Sequence, residues 1–148
     1  MSDVDPCHKI IEHLFLGSAQ SLYMNIYFSL IVNCTIDIRI PKHTINYVRI
    51  PIDDSSEDCD KLLLFIKETN VLEKIYDMVS NKKDVLVHCY SGTQRSCALL
   101  ACFLIKYYNK TPEEAIEFLK SKRNVSFFGG VHLLSAIEEF YNIQSINM

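Results

Sequence analysis

The sequence predicts an α/β fold: a central, mainly parallel sheet flanked by helices on both faces, with an anion-cradling loop between a strand and a helix. Three observations carry this. Short apolar runs of strand length alternate along the chain with segments of helical periodicity. One apolar run, Val85-Leu86-Val87-His88, passes through a short polar loop straight into an apolar helical stretch. The chain has 148 residues, 49% of them hydrophobic and 22% charged, which fits one domain over 1–148 with a full core.

In chain order, strands are predicted over 9–11, 14–16, 30–34, 47–50 and 84–88, the fourth extending back to Ile45 in its longer reading. Helices are predicted over 18–28, 59–80, 96–108, 112–122 and 131–142. In 96–108, Ala98, Leu99, Ala101, Cys102 and Ile105 recur at helical spacing, and Leu100, Phe103 and Leu104 make the helix apolar nearly all round. A helix of that kind is buried. Thr111, Pro112 and Glu114 form a capping box with proline at the first helical position. No repeats or long linkers interrupt the series.

The informative segment is Val85-Leu86-Val87-His88-Cys89-Tyr90-Ser91-Gly92-Thr93-Gln94-Arg95-Ser96. Cys89 ends the strand and five residues separate it from Arg95, where the helix begins. Unpaired N–H groups and the dipole of that helix converge there. The N–H groups of Tyr90, Ser91, Gly92, Thr93, Gln94 and Arg95 can curl around one tetrahedral anion as a nest. Gly92 permits the tight backbone this needs. Arg95 presents a planar fork that suits two phosphoryl oxygens. A cysteine in such a field is brought from a pKa of ~8.5 toward roughly 3.5–7.5, so Cys89 reads as a nucleophilic thiolate. Ser96 can donate a hydrogen bond when that thiolate must leave a phosphocysteine. The chemistry implied is phosphate-ester hydrolysis through a thiol, for which no metal or cofactor is needed.

Other loop residues carry open readings. His88 points to the opposite strand face from Cys89. It is either a group that fixes the loop and tunes the thiolate or a buried histidine satisfied by the backbone. The Tyr90 ring stacks on substrate or packs on the protein. Gln94 contacts substrate or projects to solvent.

The string His-Cys-x-x-Gly-x-x-Arg-Ser resembles the signature of the protein tyrosine phosphatase superfamily, and its short setting resembles the dual-specificity branch. Ile10-Ile11-Glu12-His13-Leu14-Phe15-Leu16-Gly17-Ser18 resembles that family's opening strand pair. Ile31-Val32-Asn33-Cys34-Thr35 resembles its next core strand, and Thr111-Pro112-Glu113-Glu114-Ala115 the start of its penultimate helix. The compact chain also resembles the small phosphatases of large DNA viruses. The resemblance implies a general acid on a loop before the signature. In Ile50-Pro51-Ile52-Asp53-Asp54-Ser55-Ser56 it points to Asp54, with Asp53 the alternative, and a capping role for both the third reading. It further implies phosphotyrosine and phosphoserine or phosphothreonine of proteins as substrates. The same chemistry on an RNA 5′-triphosphate, a phosphoinositide or a phosphoglycan is the alternative, and a non-catalytic phosphate-binding module the last.

Composition excludes several classes. The net charge is −3 with no basic tail, which disfavours nucleic acid as a partner. No apolar run approaches the ~20 residues that span a bilayer. The start lacks a basic region followed by an apolar one, so an intracellular place, cytoplasmic or nuclear (in a host cell if viral), is expected. The six cysteines then read as free thiols. Cys97 and Cys102 read as core. Cys34 closes a strand expected beside 85–88, which makes it a candidate redox partner of Cys89. Lys120, Lys122 and Arg123 form a small basic cluster, read as a solvated helix end rather than a flank for phosphosubstrate. The segment Arg123-Asn124-Val125-Ser126-Phe127-Phe128-Gly129-Gly130 departs from the family's Pro-Asn bracing motif, so no supporting residue carries over from it.

Overall fold

The computed structural model describes residues 4–42, 44 and 46–147; the extension of the fourth strand to Ile45 lies outside them. Five strands form one sheet: β1 (Cys7–Ile11), β2 (Leu14–Gly17), β3 (Leu30–Asn33), β4 (Tyr47–Arg49) and β5 (Val85–His88). Their order is β1-β2-β5-β3-β4. β1 pairs antiparallel with β2, and every other pairing is parallel. β5 is central, and its four residues are buried on both faces, as the unbroken apolar run Val85-Leu86-Val87 requires.

Alternation along the strands divides the molecule. Leu14, Leu16, Leu30, Val32, Val85 and Val87 point to one face, where they share a core with the buried residues of all five α-helices. Those helices are α1 (Cys59–Thr69), α2 (Val71–Ser80), α3 (Arg95–Tyr108), α4 (Pro112–Lys122) and α5 (Leu134–Ile146). Phe15, Ile31 and Leu86 point to the other face, which Leu22 and Phe28 cover from a 3-10 helix, Ala19–Tyr23, and the loop after it. Helices therefore flank both faces of a mainly parallel sheet, very unequally.

Three predicted helices are corrected. The segment 18–28 forms only the 3-10 turn, because Tyr23, Ile26 and Tyr27 remain exposed and give a longer helix no apolar face to bury. The predicted helix 59–80 is two helices, broken where Asn70 adopts a left-handed backbone, φ 53°. Thr69 Oγ1 accepts the N–H of Val71 at 3.2 Å, starting the second helix. The last helix runs from Leu134 to Ile146, later at both ends than predicted, since 123–133 is occupied by turns that meet the loop after β5. α3 matches its all-round apolar pattern, with ten consecutive residues, 96–105, buried. The capping box at Thr111 is formed, with Glu114 N–H on Thr111 Oγ1 at 3.2 Å and Thr111 N–H on Glu114 Oε1 at 2.9 Å.

Candidate active site

The loop between β5 and α3 is shaped by where its carbonyls go. Tyr90 O accepts the Ala19 N–H at 2.9 Å, and Thr93 O accepts the Phe127 N–H at 2.6 Å. Ser91 O and Gly92 O accept Arg123 Nη2 and Nε at 3.1 and 3.0 Å. Four successive carbonyls are thus tied outward to the scaffold. In a planar trans peptide the N–H points opposite to its C=O, so the N–H groups of residues 91–94 turn to the other side of the loop. Among the described residues, no N–H of 90–95 donates to a protein acceptor. A ring of free donors at a helix N-terminus is an anion nest. Gly92 adopts φ 71°, the left-handed backbone expected of it.

At the base of this nest lies Cys89, 2% exposed, with Sγ 3.1 Å from Ser96 Oγ. Arg95 is half-buried. Its Nη1 donates to Ile52 O at 3.1 Å, while its Nε is buried without a protein partner. The Arg95 bond ties the nest to the segment that carries Asp53 and Asp54. Both aspartates are exposed. Asp54 Oδ1 lies 2.8 Å from His132 Nδ1. Asp53 is held through its backbone, whose N–H donates to the buried Asp58 carboxylate at 2.7 Å. Ser55 takes the capping role, accepting the Glu57 N–H at 3.1 Å.

His88 is fully buried, with Nδ1 3.1 Å from the Cys89 carbonyl and Nε2 unpaired. Burial pushes its pKa down. The bond to Cys89 opposes this, and the Arg49 and Arg95 charges add to it. Cys34 is also fully buried, and its N–H donates to His88 O at 2.8 Å. Its thiol is pushed well above the ordinary range, first by burial and next by the Cys89 charge. Cys97, under the loop with Sγ 3.6 Å from Gly92 O, is pushed up to about 12 by burial and then by Cys89.

Rim residues separate cleanly. Tyr90 is 68% exposed, so its ring faces solvent at the loop edge. Ser91 Oγ and Thr93 Oγ1 bond each other at 2.8 Å. Gln94 neither contacts the nest with its side chain nor projects to solvent; it is 3% exposed. Its Nε2 donates to Phe128 O and Gly130 O at 3.1 and 2.7 Å, and its Oε1 accepts the His132 N–H at 3.1 Å.

The basic cluster needs the larger correction. Arg123 is not a solvated helix end but a buried guanidinium, 1% exposed. Besides Ser91 and Gly92 it bonds Asp5 O at 2.8 Å and His8 Nδ1 at 2.9 Å. It does from below what the missing Pro-Asn pair was expected to do. Asp58 and His132 are thus residues around the site that the sequence did not single out, and Arg123 is one whose place it misread. In a single sequence a lone arginine after two lysines carries no sign of burial. Among the described residues no cluster of three or more His, Cys, Asp or Glu side chains is placed to hold a metal.

Comparisons with known proteins bear on the family and the fold. Residues 14–143 match the model of the family described as dual specificity phosphatase, catalytic domain. The chain is 32% identical over 138 residues to "Putative tyrosine phosphatase 123R" of Invertebrate iridescent virus 6, covering 90% of this chain and 93% of that one. It is 28% identical over 130 residues to mouse dual specificity protein phosphatase 14, covering 83% of this chain but only 63% of that protein. A shorter match, 30% over 76 residues, covers 51% of this chain and 22% of the Arabidopsis thaliana phosphatidylglycerophosphate phosphatase PTPMT1. The fold superposes on the crystal structure of human DUSP28 with a TM-score of 0.83 at 21% identity, covering 95% of each chain. With the family model matched over most of its length, the chain belongs to the dual specificity phosphatase catalytic-domain family.

Proposed function

We propose that this chain hydrolyses phosphate monoesters on phosphotyrosine and on phosphoserine or phosphothreonine of proteins, through a phosphocysteine on Cys89. The observation that carries this reading is the nest: four outward-tied carbonyls, inward N–H groups, and the Cys89 sulfur at their focus beside Ser96. In the first step the Cys89 thiolate attacks phosphorus in line, and Asp54 gives its proton to the departing oxygen. The loop N–H groups and Arg95 hold the phosphoryl oxygens as charge shifts among them. In the second step Asp54 takes a proton from water, which attacks the phosphocysteine. Ser96 donates to the sulfur as it leaves as thiolate. His88 fixes the strand end from the opposite face, and the chain needs no cofactor for any of these steps.

The surroundings of the nest support a protein substrate. Beside the loop lies a groove of about 490 Å³, lined by Gln20, Tyr90, Thr93 and Val125 among others. Among the described residues its one cation, Arg123, is committed to backbone carbonyls. Among the described residues a ligand with a second phosphate finds no free cation there, whereas an apolar residue flanking a phosphoresidue finds matching surface. The partial likeness to the Arabidopsis phosphatidylglycerophosphate phosphatase favours a second reading, a lipid phosphomonoester. The likeness to the iridovirus protein supports a place of action inside a host cell. Among the described residues no helix is long and apolar enough to cross a membrane.

The test is a panel: phosphotyrosine and phosphothreonine peptides, a phosphoinositide, phosphatidylglycerophosphate and an RNA 5′-triphosphate, each with wild type and Cys89→Ser. Turnover of both peptides above the rest, lost in the variant, is expected. Preference for a lipid would select the second reading.

A further inference from the structure

Asp54 is held by a histidine that the proposed mechanism does not use. His132 lies between the turn 127–130 and α5, beside the buried Leu133. Its position is set from both sides. Its backbone N–H donates to Gln94 Oε1, and Gln94 belongs to the nest itself. The same amide holds the carbonyls of Phe128 and Gly130. Gly129 and Gly130 adopt φ 84° and 110°, backbone that lets the turn reach Gln94. From this anchored backbone the ring reaches Asp54 Oδ1 at 2.8 Å, across 78 residues of sequence.

We propose that His132 is a positioning residue for the acid, registering Asp54 against the nest through Gln94; this rests on the reading of Asp54 as the acid. With hydrogen on Nδ1, the ring donates to Oδ1 and leaves Oδ2 to carry the proton destined for the leaving oxygen. The other carboxyl oxygen, Oδ2, has no partner among the described residues. After transfer the same bond holds the carboxylate for its turn as base. The geometry is a closed path: nest backbone, Gln94 side chain, His132 backbone, His132 ring, Asp54. The buried Ile52 and the Asp58 and Arg95 contacts place the backbone of this segment, but His132 is the group that holds the exposed carboxylate itself.

Four variants test this with two substrates, phenyl phosphate (poor leaving group) and 4-nitrophenyl phosphate (good). Misplacing an acid costs on the order of 10- to 100-fold. His132→Ala is expected to lower kcat by about that factor on phenyl phosphate, far less on 4-nitrophenyl phosphate, with an unchanged melting temperature. His132→Asn, whose amide N–H can stand where Nδ1–H does, should restore most of the loss. In Asp54→Ala the further change His132→Ala should have no effect. Equal losses on both substrates, or a loss that persists in the Asp54→Ala background, would overturn the positioning role. So would wild-type kinetics for His132→Ala while Asp54→Ala is impaired. If Asp54→Ala itself turns over phenyl phosphate normally, the acid reading fails, and the positioning role with it.

Discussion

Arg123 Nε donates to the Gly92 carbonyl at 3.0 Å from inside the core, so a charged side chain 1% exposed forms the floor of the anion loop. Burial lowers its pKa, and the nearby cysteine groups and Asp5 oppose that shift. Removing it takes the side-chain donor from the Ser91 and Asp5 carbonyls and leaves Gly92 O with the weak Cys97 thiol donor, at roughly 1–3 kcal/mol for each group left buried and unpaired. Arg123→Met should therefore cost roughly 2–5 kcal/mol in urea denaturation and weaken phosphate binding. Arg123→Lys should recover only part, because one ammonium cannot span both carbonyls and Asp5. A wild-type denaturation midpoint for Arg123→Met would contradict this role.

Gly92 meets the same guanidinium from above. A Cβ there would sit 2.6 Å from Gly17 C and O and 2.8 Å from Arg123 Nη2, at a φ of 71°. The left-handed backbone alone costs an alanine about 1–2 kcal/mol. Gly92→Ala should relax the loop out of the nest, and because binding must then restore it, competitive inhibition by inorganic phosphate should weaken by about tenfold, 1.4 kcal/mol being a factor of ten. Unchanged inhibition would mean the nest tolerates a different path.

His88 makes stability depend on pH. Its folded pKa lies below the ordinary 6.5, with burial the first cause. The unfolded chain therefore takes up the proton first as pH falls. The contribution of neutral His88 is fully present above ~6.5 and is lost as pH drops through the interval down to its folded value. Imidazole NMR should show two histidines, His8 and His88, titrating below 6.5, of which the His88 resonance disappears in His88→Asn. A His88 titration at or above that value would contradict the burial argument.

The redox-partner reading of Cys34 predicts a Cys34–Cys89 disulfide after mild peroxide. Oxidant would take Cys89 to the sulfenic acid, and the Cys34 sulfur would displace water from it. Cys34 is the buried thiol whose N–H bonds the carbonyl just before Cys89. Cys97 is the competing thiol on the helix side. Non-reducing mass mapping should find the Cys34 pair. Sulfinic acid on Cys89 with Cys34 free, or pairing to Cys97, would sink the reading.

Much of this site was legible because local rules act over a few residues. Strand, loop and helix follow one another in 85–108, so Cys89, Gly92, Arg95 and Ser96 meet without long-range help. The capping box at Thr111 is likewise local. What could not be read depends on contacts far apart in sequence. Arg123 reaches His8 across 115 residues, and His132 reaches Asp54 across 78. Gln94 looked like a rim residue because polar side chains in loops usually are. Its burial is dictated by the turn at 127–130, which no periodicity announces. The 3-10 turn at Ala19–Tyr23 shows the converse. Apolar content suggested a longer helix there, but the segment covers the sheet with Leu22 and Phe28 and leaves Tyr23, Ile26 and Tyr27 exposed.

The central claim, that Cys89 is the nucleophile within an intact anion nest, is tested most directly by hydrolysis of 4-nitrophenyl phosphate by Cys89→Ser, with phosphate affinity measured on the same sample. A loss on the order of 10⁴- to 10⁶-fold with phosphate still bound is expected. Hydrolysis at the wild-type rate would contradict it.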